Sequence, residues 1–176
     1  MLGGLLGLCM MLQLGAPAGA ASPGAAAVRT TDGAILGAIG ARDANLIEAA
    51  TLARTKAQSA AVKSFAGDVL RDHQRSLTRG AALATQLQVT RLLPADSAMV
   101  RTQRAQMVLL DSLSGAAFDR AFVQFVVDDH AAAILKVTRT QLPQARHADV
   151  VALVRSRLPG LREHQVMGQA WLAANP

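Results

Sequence analysis

The sequence has a single cysteine, Cys9, no tyrosine, one tryptophan and four phenylalanines in 176 residues. Cys9 lies in an N-terminal apolar run expected to be removed, so the mature chain has no disulfide and no thiol chemistry. That suits an oxidising compartment, where a free thiol is a liability. Few aromatics also mean few platforms for stacking bases. The 18 Lys and Arg exceed the 12 Asp and Glu, giving a net charge of +6, but the arginines are scattered over every segment. Scattered charge without aromatics argues against a dedicated nucleic-acid site and leaves weak association with anionic envelope surfaces. No Gly-x-Ser-x-Gly, phosphate-binding loop, dinucleotide fingerprint, Cys-x-x-Cys or Glu-x-x-His occurs in the chain. Those absences remove the common nucleophile, nucleotide, redox-dithiol and di-iron frames.

The first 27 residues carry no charge. Within them Leu2 to Leu14 is apolar and too short to span a bilayer, which takes about 20 residues. Ala18-Gly19-Ala20 supplies small residues ahead of Ala21, as a signal-peptidase site needs, although no Lys or Arg precedes the run. The expected organisation is a signal peptide over 1–20, a flexible spacer over 21–29 and one helical domain over 30–174. The mature chain would be periplasmic and free of transmembrane helices.

From Thr30 onward apolar residues recur at three- and four-residue spacing, the mark of helices with one buried face. A first helix is expected from Gly33 to Lys56, capped by Thr30, Thr31 or Asp32, with Ile35, Ile39, Leu46, Ala50 and Ala53 inward. A second, capped by Ser59, carries Val62, Phe65, Val69, His73 and Ala84 and ends at Arg91–Pro94. A third starts near Asp96 and breaks at Ser114-Gly115, since glycine is a natural helix terminator. A fourth resumes at Phe118 and fades at Leu142-Pro143. The last, from Ala145 to Leu172, is cut by Pro159-Gly160. No alternating β pattern occurs. The expected fold is all-α: a four-helix bundle with an additional helix before the third core helix and a kinked or split last helix.

Three of the four histidines directly follow an acid: Asp72-His73, Asp129-His130 and Glu163-His164. Each of these histidines lies on the apolar stripe of its helix, and Glu48 lies in the first helix. Neighbours on a helix stand about 100° apart, so the histidine faces inward while the acid stands at the flank. The segments FAGDVLRDH (65–73) and FVQFVVDDH (122–130) also match at Phe, Val, Asp and His. Buried histidines facing carboxylates form either a hydrogen-bonded network that sets helix register or a metal site with oriented ligands. The metal set would be Glu48, His73, His130 and His164, with Asp72, Asp129 and Glu163 outside them. Asp119 and Asp32 read as helix-terminal acids, His147 as an exposed residue and Trp171 as a plug at the end of the bundle.

The segments 46–73, 113–130 and 158–164 resemble the DUF4142 family of exported bacterial proteins. The matching positions are Glu48, Lys56, Ala57, Ser59, Phe65, Ala66, Asp72, His73, Gly115, Phe118, Asp119, Asp129, His130, Pro159 and His164. Val69-Leu70 stands where the family commonly has Met. The resemblance implies a ferritin-like four-helix fold and an unknown function, and names no cofactor. The expected function is a non-enzymatic exported bundle with a buried acid–histidine network. The alternative is a metal-binding protein or metal-dependent oxidoreductase using Glu48 and the three histidines.

Overall fold

The computed structural model describes residues 23–92 and 98–176; the expected signal peptide, Pro94 and Asp96 lie outside them. Among the described residues every regular element is helical: α1 (Pro23–Lys56), α2 (Ala60–Gln86), α3 (Ala98–Ser112), α4 (Gly115–Lys136), a π turn (Val137–Gln141), the short α5 (Leu142–Gln144), α6 (Ala148–Ser156) and α7 (Leu158–Ala174). The core is formed by α1, α2, α4 and α7, and α3 is the additional helix ahead of the third core helix.

The apolar stripes divide into two clusters. One joins Leu46, Ala50 and Ala53 of α1 to Val62, Phe65 and Val69 of α2 and Phe118, Phe122 and Val126 of α4. The other joins Leu36 and Ile39 of α1 to Ala84, Ala133, Val137, Val150, Val154 and Leu161. Phe118 and Phe122 are fully buried and their rings lie parallel; each such side chain contributes about 1.5–3 kcal/mol. The order of the clusters along each helix gives the topology. α1 and α7 run from the second cluster to the first, while α2 and α4 run from the first to the second. Two consecutive core helices can share a direction only if the chain returns between them, and α3 makes that return. The matched FAGDVLRDH and FVQFVVDDH segments therefore lie on parallel helices, so their Phe and His residues fall at the same levels of the bundle.

The ends of the elements differ from the sequence expectation in ways that have local causes. α1 begins at Pro23, inside the stretch expected as a spacer, and Thr30 to Asp32 lie within it. Asp32 does not cap its own helix: it is 1% exposed and accepts from the amides of Arg146 and His147, both 2.9 Å, just before α6. α2 stops at Gln86 rather than at Arg91–Pro94, because Gln88 takes a left-handed φ of 52°. α4 starts at Gly115 rather than Phe118, with Gly115 at φ +60°, a conformation that favours glycine. Ser59 precedes α2 without a side-chain cap. Buried Asp119 of α4 does that work instead, accepting from the amides of Gln58 (2.9 Å) and Ser59 (2.7 Å). α6 ends at Ser156 and α7 begins with Leu158-Pro159; proline has no N–H to continue the first helix. Trp171 packs against the first cluster, at the α7 end of the bundle.

Candidate functional site

A polar layer lies between the two apolar clusters. His73 is 4%, His130 0% and His164 3% exposed, which fits their places on the stripes of α2, α4 and α7. His73 Nε2 lies 3.4 Å from His130 Nε2, and His130 Nε2 lies 3.2 Å from His164 Nδ1. The His73 and His130 rings meet edge to face, with centroids 5.3 Å apart. One nitrogen from each ring thus falls within 4.8 Å of the other two.

The remaining ring nitrogens face carboxylates. His73 Nδ1 lies 2.8 Å from Asp43 Oδ1. His164 Nε2 lies 3.4 Å from Asp72 Oδ2 on the neighbouring α2, and His130 Nδ1 lies 3.7 Å from Asp129 Oδ2. Asp43 is wholly buried and also accepts from Arg157 Nη2 at 2.7 Å. Asp129 accepts from Arg42 Nε at 2.9 Å. A continuous buried acid–histidine network therefore crosses all four core helices, closed on two sides by arginines.

The electrostatics follow from burial. Desolvation holds His130 well below the ordinary histidine range, reinforced by the charges of His73 and His164 and only partly offset by the Val126 carbonyl. Burial also lowers His164, with His73 next in effect and Asp72 opposing. Burial raises Asp129 against the pull of Arg42, and lowers Arg157 against the attraction of Asp43. His130 and His164 are accordingly driven toward the neutral form, which is the form that binds metals.

Glu48 is not part of this layer. It is exposed, in a hollow against α3 with Val100, Gln103 and Met107. The acid that α1 contributes is Asp43. Its register was readable: Leu36, Ile39, Asp43, Leu46, Ala50, Ala53 and Ala57 alternate three- and four-residue steps without a gap, and Glu48 falls between them. Five residues separate the two acids, about 140° around the helix, so only one can face inward. Glu163 is exposed beside the site and bonds no histidine among the described residues. Asp72 and Asp129 stand at the flanks, as their places beside the histidines implied. Arg42 and Arg157 had no local sequence signal; Arg157 reaches inward from the break between α6 and α7. His147 is half-exposed and caps α6, its Nδ1 accepting from the Asp149 amide at 3.3 Å.

Proton accounting limits what the layer can do. A neutral imidazole has one N–H. If a neutral His73 directs its hydrogen to Asp43, Nε2 is left as a lone pair, and a hydrogen directed from His164 Nε2 to Asp72 leaves Nδ1 the same. If His130 carries its hydrogen on Nε2, it serves one neighbour well and leaves a buried, bare Nδ1. If the hydrogen is on Nδ1, three lone pairs face one another. No hydrogen bond of good geometry reaches Nδ1. A cation at the centre would accept all three lone pairs and would free each second nitrogen to donate to its carboxylate, the arrangement that orients metal-binding histidines. Bonds near 2.0–2.1 Å in tetrahedral geometry place nitrogens about 3.3–3.4 Å apart, close to the two short separations here. On its solvent side a cleft of about 320 Å³ between α2 and the α6–α7 break exposes edges of His73 and His164.

Comparison with known proteins agrees with this architecture. The family model for DUF4142, a domain of unknown function, matches residues 17–171. A DUF305 protein from Streptomyces coelicolor superposes with a TM-score of 0.71 at 12% identity, over 82% of this chain and 93% of that one. A DUF305 fragment from Deinococcus radiodurans superposes with a TM-score of 0.67 at 18% identity, over 84% and 96%. At such identities the likeness is one of fold. No curated protein matches the chain in sequence.

Proposed function

The chain belongs to the DUF4142 family, and from that footing we propose that it is an exported helical protein that binds one divalent transition-metal ion through His73 Nε2, His130 Nε2 and His164 Nδ1. The observation that carries the reading is the convergence of these three buried nitrogens, each with its second nitrogen turned toward a carboxylate. Three imidazoles suit zinc, copper, iron or nickel better than magnesium or calcium. The absence of Glu-x-x-His and the exposure of Glu48 favour a single ion over the paired-metal frame of ferritin-like proteins. Three protein ligands would leave a coordination position open, and the cleft lined by His73 and His164 lies beside them. Export rests on the apolar Leu2–Leu14 run and its small-residue ending. Among the described residues no helix is long and apolar enough to cross a membrane. The net charge of +6 would add weak, salt-sensitive attraction to anionic envelope surfaces.

Metal analysis of the purified protein, apo and after dialysis against zinc, tests this reading. One equivalent per chain is expected, falling below a tenth of that in His130→Ala and unchanged in Glu48→Gln. The 3.4 and 3.2 Å nitrogen separations also suit direct hydrogen bonds, which favour a second reading in which the layer only sets helix register. Sub-stoichiometric zinc in a folded wild-type protein would select that second reading.

A further inference from the structure

The cleft beside the histidines has a chemistry of its own. Arg75, Arg79 and Arg157 all line it, together with Ser76. Arg79 is exposed and makes no ion pair or hydrogen bond among the described residues. Arg75 reaches Asp72 only at 3.6 Å. Arg157 gives Nη2 to Asp43 and has its other donors to spare, because a guanidinium carries five N–H groups in a planar fork. Ser76 Oγ is buried without a hydrogen-bond partner, an unmet polar group in the wall of a cavity lined by cations. Asp72 and Glu163 are the opposing acids. Asp43 neutralises Arg157, so the protein's own charges in the cleft come close to balance. A divalent ion at the histidines would make it distinctly positive.

We propose that this cleft binds a small oxyanion, either inorganic phosphate or a compact carboxylate, through the guanidiniums of Arg75, Arg79 and Arg157 and the hydroxyl of Ser76. Planar forks match the paired oxygens of both anions. The volume of about 320 Å³ leaves room for either anion. The inference builds on the metal reading, since two of the proposed ligands, His73 and His164, line the same cleft, yet the arginines would recognise an anion without the ion as well.

The test is calorimetric titration of the whole protein, zinc-loaded and metal-free, with phosphate in one arm and succinate in the other. Saturable binding of at least one anion is expected, tighter in the zinc-loaded protein. It should weaken at least tenfold in the Arg75→Gln/Arg79→Gln double variant and stay unchanged in Arg104→Gln, on the far α3. Arg75 and Arg79 are both exposed, unlike Arg157, so the double variant retains the buried network. The arm that saturates assigns the anion class. If the chain binds no zinc, the metal-free titration decides alone: arginine-dependent saturation upholds the cleft site while the metal reading falls. Absence of saturation by both anions, or binding indifferent to Arg75 and Arg79, overturns the inference and leaves the metal reading where its own assay puts it.

Discussion

Replacing Asp43 by alanine removes a carboxylate that serves two buried partners. Arg157, whose side chain is 7% exposed, would keep its charge inside the bundle with no counterion, and His73 Nδ1 would lose its acceptor. Breaking a buried pair by deleting one member costs about 3–5 kcal/mol, because the surviving charge is stranded. For a domain of this size each kcal/mol moves the melting midpoint by roughly 2–4 °C. Asp43→Ala should therefore melt on the order of 10 °C below wild type, with a matching loss in urea denaturation of the metal-free protein. Asp43→Asn keeps an oxygen for both donors and should lose less stability. Because it also loosens the orientation of His73, its zinc affinity should fall about 10–100-fold. Glu48→Gln is the contrast, expected within about 0.5 kcal/mol of wild type and with unaltered zinc affinity. An Asp43→Ala protein as stable as wild type, or a Glu48→Gln protein as damaged as Asp43→Asn, would refute the assignment of the α1 acid.

Other consequences follow from the same packing. In metal-free protein the lowered pKa values of His130 and His164 mean that the unfolded chain takes up protons first, near pH 6.5. Their contribution to stability is present above that pH and is lost as pH falls toward the folded values. Urea midpoints at pH 7.5, 6 and 5 should show this decline, with a shallower slope in His130→Gln; a midpoint that rises on acidification would contradict it. Asp119→Ala should destabilise by about 1–3 kcal/mol, since the Gln58 and Ser59 amides just ahead of α2 lose their acceptor; the reasoning fails if the loss stays under about 0.5 kcal/mol. Gly37→Ala would place a Cβ 2.2 Å from the Leu92 carbonyl oxygen. Alanine gains about 1 kcal/mol of helix propensity, but backbone gives way poorly, and overpacking costs of about 1–3 kcal/mol should leave a net loss in thermal melts. A stabilised Gly37→Ala would mean that the α1–loop approach is looser than described.

The histidines and the helices that carry them were legible because they break a pattern. A polar residue recurring on an otherwise apolar stripe is costly to bury, and in three helices it came with an acid one step away. The repeat of FAGDVLRDH in FVQFVVDDH was legible too, though its cause needed the topology: α2 and α4 run parallel, so like sequences meet like levels. Asp43 was missed because no histidine adjoins it and Glu48 lies nearby in the same Ala-rich helix; only the unbroken three-four spacing through Leu36, Asp43 and Ala57 separates them. Arg157 and the capping roles of Asp32 and Asp119 join residues far apart in the chain, Asp43 to Arg157 by 114 positions. No local propensity encodes such pairings. The start of α1 was misplaced for a related reason: Asp32 has the chemistry of a cap, but its carboxylate is committed to the turn before α6.

The most direct measurement of the central claim is a crystal structure of the zinc-soaked protein with anomalous diffraction recorded at the zinc edge. The account predicts one anomalous peak in the polar layer, about 2.0–2.1 Å from His73 Nε2, His130 Nε2 and His164 Nδ1, with Asp43, Asp72 and Asp129 facing the second ring nitrogens. An empty layer in which those three nitrogens hydrogen-bond directly to one another, with any zinc confined to the surface, would contradict it.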